Sequence, residues 1–305
     1  MRAFPVVGIL IILSSNCGAG EKVVDLILVA GQSNAVGFHT RASELPKDPN
    51  DNKVMFWWRC GDPPADEFDS SSNQEWTTLK PQPKGKPKLP KGGKNYGNFG
   101  YDEGGFGPEI GLARTLLERQ PDRPLAIVKV AYNGTGIDYW NPGNKMDANR
   151  GRNCYPALLA ETRAAIEKAK AQGVTLRPRA LVWCQGESDC MREYSPAYRE
   201  SLEAMIAALR KDLDAPKLIA LIGLNTKFGQ KRAKDAREPS EGVLNVVRGM
   251  KELAASSEYV EYVDDWGCEV VNIAHFGSQG TLELGKRYAE ALITTEERIN
   301  ESKNK

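Results

Sequence analysis

Gly31-Gln32-Ser33-Asn34 follows directly on the apolar run Val23 to Ala30, so a serine stands where a buried strand turns into solvent. A hydroxyl there is placed to attack a carbonyl, and the N–H groups leaving the strand end point toward the atom it attacks. Serine is also an ordinary turn residue, so acyl-transfer chemistry requires a base and an anion-stabilising pocket as well. The chain holds two histidines, His39 and His275. His39 comes six residues after Ser33, a spacing that on a helix separates the two side chains, and it reads as a loop histidine. His275 follows the apolar and acidic stretch Tyr259 to Asp265 and precedes the helical segment Ser278 to Leu292. That puts it on a loop after a last strand, within reach of Ser33 across a sheet.

Two further polar, glycine-bearing stretches follow apolar runs. Trp183-Cys184-Gln185-Gly186-Glu187-Ser188-Asp189 comes behind Ala180 to Trp183, and Tyr132-Asn133-Gly134-Thr135-Gly136 behind Leu125 to Ala131. These loops converge with Ser33 and His275 if the strands are parallel and share one carboxyl edge.

On these residues the chain resembles SGNH-type hydrolases, in the branch of carbohydrate esterase family 6 and the sialate O-acetylesterase-like domains. That branch carries a Gly-Gln-Ser-Asn block, a second Gly-containing block, a Gln-Gly-Glu block and a terminal Asp-x-x-His block. Here they read Gly31 to Asn34, Asn133 to Thr135, Gln185 to Glu187, and Asn272-Ile273-Ala274-His275. Phe106-Gly107-Pro108-Glu109 and Gly285-Lys286-Arg287-Tyr288-Ala289 are similar to the branch as well. The resemblance implies a serine esterase that removes acetyl groups from a carbohydrate, without metal or organic cofactor. Ser33 would be its nucleophile and His275 its base, with the Ser33 N–H, the Gly134 N–H and the Gln185 side-chain amide as oxyanion donors. Gln32, Asn34, Asn133 and Asn272 are further candidates to line the site.

One position departs from the pattern, because Asn272 stands where the branch has its aspartate. The same change in a serine protease costs about four orders of magnitude. Glu187 and the Asp264-Asp265 pair are the candidate replacements. Glu187 is preferred because members of the branch resemble it there and its neighbour Gln185 is already assigned to the pocket. A structural carboxylate is the alternative for Glu187, and a non-catalytic carbohydrate-binding protein is the alternative for the whole chain. Hydrolysis of lipids or peptides lacks support, since no long apolar loop flanks the motifs.

The elements that must hold these residues are legible as alternating strand and helix. Val23 to Ala30, Leu125 to Ala131, Ala180 to Trp183, Leu218 to Gly223 and Tyr259 to Val263 read as strands. Helical stripes follow in Pro156 to Ala171, in the segment after Ser195-Pro196, where Ser195 is the expected N-cap, and in Glu241 to Ala255. This predicts one α/β domain over 21–305, a three-layer αβα sandwich around a five-stranded parallel sheet of SGNH or flavodoxin-like type. Residues 38–105, rich in Pro, Gly, Asp, Ser and Lys, read as a long insertion after the first strand, with short strand-like pieces at Val54 to Trp58 and Trp76 to Leu79.

Charge gives little direction: 41 basic residues face 40 acidic ones, which points to neither nucleic acid nor an anionic membrane. Lys80 to Lys94 holds six lysines and no acid, read either as a solvated face or as a docking surface for an acidic or sulfated polysaccharide, with Trp57, Trp58, Trp76 and Trp140 either buried or free to stack on sugars. Met1 to Gly20, with an early arginine, the apolar run Phe4 to Leu13 and the small residues Cys17 to Gly20, reads as a signal peptide for secretion or the periplasm. A lipid-modified Cys17 is the second reading, weakened by Asn16 ahead of it. Five later cysteines in an oxidising compartment predict two disulfides and one free thiol.

Overall fold

The computed structural model describes residues 22–86, 98–146, 151–191, 195–229 and 239–304. The expected signal segment, including Cys17, lies outside them. The strands are β1 (Lys22–Gly31), β2 (Val54–Gly61), the short β3 (Ser70–Ser71) and β4 (Thr77–Thr78), β5 (Leu125–Tyr132), β6 (Val174–Cys184), β7 (Ile219–Gly223) and β8 (Val260–Tyr262). The helices are α1 (Ser33–Val36), α2 (Glu109–Arg119), α3 (Cys154–Ala171), α4 (Glu187–Cys190), α5 (Tyr198–Asp212), α6 (Glu241–Ser256) and α7 (Ser278–Lys303).

The strands form a single sheet in the order β3-β2-β5-β1-β6-β7-β8, with β4 also paired to β2. From β2 to β8 every neighbouring pair is parallel, and only β3 and β4 run antiparallel. β1 shows why a strand forms: its apolar residues alternate between two cores, a consequence of the two-residue period. Leu26, Leu28 and Ala30 pack toward α3, α5 and α6, while Ile27 and Val29 pack toward α2 and α7. Both faces of the sheet are therefore dry, as parallel sheets require, and the layers are helix, sheet, helix.

Two sequence expectations need correction. The sheet has one more long parallel strand than the five expected, because β2 belongs to it and not to an insertion. Its residues Phe56, Trp57 and Trp58 are buried on alternating faces, and the Pro- and Gly-rich flanks of 38–105 disguise it. Trp57, Trp58 and Trp140 are core and offer no face to a sugar, and the half-buried Trp76 packs edge-on to Trp57 with its indole N–H donated to the Ala165 carbonyl.

The expected disulfides are likewise not formed. Cys60, Cys154, Cys184, Cys190 and Cys268 all keep free thiols. Cys154 packs on one face of the sheet and Cys60, Cys184 and Cys268 on the other. Cys60 and Cys184 sit in one cross-strand row, through Ala131 and Gly31, three strand spacings or about 14 Å apart. That is far beyond disulfide reach. Among the described residues no helix is long and apolar enough to cross a membrane.

Candidate active site

The register aligns Gly31 with Ala131 on one side and Cys184 on the other, and Cys184 with Gly223. The loops after β1, β5, β6 and β7 thus leave the sheet at one edge. At the first exit the chain must pass close over β6: a Cβ at Gly31 would lie 2.1 Å from the Cys184 carbonyl oxygen, and its φ is +138°, so glycine is required. Ser33 then opens the single turn α1, and Gly37, at φ +83°, reverses the chain. Beneath this turn the buried Lys129 ammonium donates to the Val36 carbonyl, to Gln82 Oε1 and to Glu109 Oε1. The ion pair anchors both the 38–105 region and the Phe106–Glu109 segment under the serine.

Ser33 Oγ and His275 Nε2 are 3.0 Å apart, so the structure brings together the two residues the motifs single out. Burial and the neighbouring His39 push the His275 imidazole down to about 4, leaving it neutral near pH 7. His39, read from sequence as a loop histidine, is at the site: its ring centroid lies 4.6 Å from that of His275, and that of Phe38 lies 5.0 Å from His275. The helical spacing argument fails because α1 ends after one turn.

No carboxylate among the described residues bonds His275, whose Nδ1 is buried without a partner. Glu187, expected to orient it, is fully buried and instead accepts from Asn34 Nδ2 at 2.6 Å and from the Asn225 N–H at 2.9 Å. Burial raises its carboxyl to about 7. Asp265 is occupied by Thr226 and Asp264 by the Trp266 N–H. Asn272 supports the His275 backbone rather than its ring: Oδ1 accepts from the N–H groups of Ala274 and His275 at 2.8 and 2.9 Å, while Nδ2 faces the His39 ring nitrogens at 3.3 and 3.5 Å.

The oxyanion candidates divide. Ser33 N–H and Gly134 N–H have no acceptor among the described residues, and a side chain built at Gly134 would meet nothing within 4 Å, so that turn borders open space. Gln185 differs from expectation. It is wholly buried, and its Nε2 is already donated to Asp189 Oδ2 at 2.6 Å and the Thr135 carbonyl at 2.9 Å. Asn133 Nδ2 donates to the Asn98 carbonyl, in the segment between β4 and α2. Of the lysine-rich segment, Lys84 is paired with Asp102 and Lys86 sits over the Phe68 ring. Lys88 and Lys91 lie outside the described residues.

A neutral imidazole on a serine hydroxyl, beside free N–H donors at the carboxyl edge of a doubly covered parallel sheet, has the groups that serine-dependent acyl transfer needs. The family comparison agrees: residues 23–294 match the family described as carbohydrate esterase, sialic acid-specific acetylesterase, and the chain belongs to that family. No curated protein matches the chain. Among solved structures it is similar to an Arabidopsis thaliana protein, with a TM-score of 0.60 at 18% identity over 88% of this chain and 98% of that one. It is also similar to NanS, with a TM-score of 0.57 at 17% identity over 91% and 98%. A carbohydrate acetylesterase from Xanthomonas citri gives 0.54 at 18% identity, over 88% of this chain but 55% of that one. At these identities the likeness concerns the fold.

Proposed function

We propose that the protein is an esterase that removes acetyl groups from a carbohydrate through an acetyl-Ser33 intermediate. The observation that carries this reading is the 3.0 Å contact between Ser33 Oγ and His275 Nε2. Ser33 Oγ attacks the acetyl carbonyl while its proton passes to His275 Nε2. The oxyanion so formed accepts from the N–H groups of Ser33 and Gly134. On collapse the sugar hydroxyl leaves with the proton from His275. Water then attacks the acetyl-serine, again giving its proton to His275, and acetate departs as Ser33 is reprotonated.

The low basicity of His275 sets a requirement. An imidazolium there is poorly solvated, so the developing oxyanion and the dipoles of the pocket must stabilise it during transfer. Glu187 contributes at one remove: through Asn34 it holds the backbone on either side of His275.

One observation favours a catalytically silent sugar binder, namely the bare, buried Nδ1 of His275. Acetate release from acetylated xylan, acetylated sialosides and other acetylated glycans separates the two readings. An esterase liberates acetate from at least one of them, whereas a binder retains the sugar and liberates none.

A further inference from the structure

Gln32 precedes the serine and is 4% exposed. One end of its amide is fixed without ambiguity. Oε1 lies 3.1 Å from the Ser188 N–H and 3.5 Å from the Gly186 N–H, and backbone N–H groups can only donate. Gln185 Nε2 approaches the same oxygen at 3.3 Å. Nε2 of Gln32 must therefore be at the other end, and there it donates to nothing among the described residues. It is also absent from the polar atoms sealed away from solvent without a partner, so this end of a nearly buried side chain keeps an outlet to the cleft.

The location of that outlet follows from the same contacts. The Gln32 amide rests on the Gln185 amide, which in turn holds the Thr135 carbonyl, one residue beyond Gly134. It therefore lies between the Ser33 turn and the Gly134 turn, whose free N–H groups bound the space where an oxyanion on Ser33 would form. Gln185, the donor implied by family resemblance, has only two amide hydrogens, and its short bonds to Asp189 and Thr135 use both.

We infer that the side-chain amide of Gln32, and not that of Gln185, is the third donor to the oxyanion, joining the N–H groups of Ser33 and Gly134. In this arrangement the Ser188 and Gly186 N–H groups pin the oxygen of Gln32 and so aim the nitrogen, while Gln185, its hydrogens held by Asp189 and Thr135, packs against that oxygen. The inference rests on the esterase reading and adds a catalytic residue to it.

Gln32→Glu isolates the point, since it keeps an oxygen for the Ser188 and Gly186 N–H groups and removes the donor. With p-nitrophenyl acetate, kcat should fall about 100- to 1000-fold, the usual effect of losing one oxyanion donor. KM should stay within about threefold, and affinity for a boronic acid that adds to Ser33 should fall in parallel with kcat. A kcat within about twofold of wild type, or a loss confined to KM, overturns the assignment. Independently of any variant, the wild-type boronate adduct should place a boronate oxygen within about 3.2 Å of Gln32 Nε2. An oxygen bonded only to the Ser33 and Gly134 N–H groups overturns it too. Wild-type protein that neither hydrolyses the ester nor takes boronate at Ser33 would overturn the esterase reading together with this inference, whereas an active wild type with an equally active Gln32→Glu removes Gln32 alone.

Discussion

Asn34 Nδ2 donates to Glu187 Oε1 at 2.6 Å, and the remaining atoms of the same amide grip the backbone on both sides of His275. Nδ2 also donates to the Ala274 carbonyl at 3.0 Å, and Oδ1 accepts from the Phe276 N–H at 3.1 Å. The residue after the serine is thereby tied to the residues flanking the histidine, with the carboxylate behind it as the anchor. Serine and histidine come from loops 242 residues apart, and this clamp fixes their separation.

Asn34→Ala should therefore lower kcat by about 10- to 100-fold, because a misplacement of order 1 Å in a reacting group has effects of that size. Glu187→Gln keeps an oxygen for both Asn34 and Asn225 and should cost less than about tenfold. Steady-state rates on a small acetyl ester compare the two. A loss of about 1000-fold or more in Glu187→Gln would instead mean that the charge itself acts on His275.

Asn272→Asp gives a different expectation from that of restoring a lost aspartate. The new carboxylate keeps the Oδ1 contacts to Ala274 and His275 and sets its second oxygen against His39. His39, held below 6.5 by burial, should titrate higher in the variant, as read by NMR of the imidazole protons. Ester turnover should change by less than about tenfold. An increase of about 100-fold would show that the carboxylate had reached His275 Nδ1.

Stability should report the buried carboxyl of Glu187. Desolvation raises it from 4.5 to about 7, so between those values the unfolded chain has released the proton that the folded protein still holds. Its contribution is full below 4.5 and is lost as pH rises to 7, by about 3 kcal/mol at most. Glutamine does not titrate. The Tm of Glu187→Gln relative to wild type should climb between pH 4.5 and 7 and level off above, since the other titrating groups are common to both proteins. A difference independent of pH would contradict the raised carboxyl.

The parts of this arrangement that a sequence can carry are those set by one chain segment at a time. β1, β5 and β7 are largely apolar runs, broken only by Asp25 and Lys129 past the first residue of β1 and ended by turn residues, and their parallel pairing follows from the helices between them. β2 is legible as the strand-like piece Val54 to Trp58, but its place in the sheet is not, because its flanks are those of a loop. His39 is not legible as a site residue, because only a helix continued past Gly37 makes its spacing from Ser33 informative, and α1 ends at Val36. The exchange of roles between Gln32 and Gln185 has no local signal, because it depends on Asp189 and Thr135 claiming one amide and on two backbone N–H groups orienting the other. The free thiols follow from strand order, which cysteine spacing does not encode.

Ser33 and His275 are proposed to act as one unit, and acetate release by wild type and Ser33→Ala, measured side by side on acetylated glycans, tests this most directly. Ser33 lies on a turn where losing the hydroxyl leaves no core cavity, so the variant should fold as wild type. Wild type should release acetate from at least one glycan, and Ser33→Ala should be slower by about 1000-fold or more. Equal release by the two proteins, or none from any glycan by wild type, would contradict it.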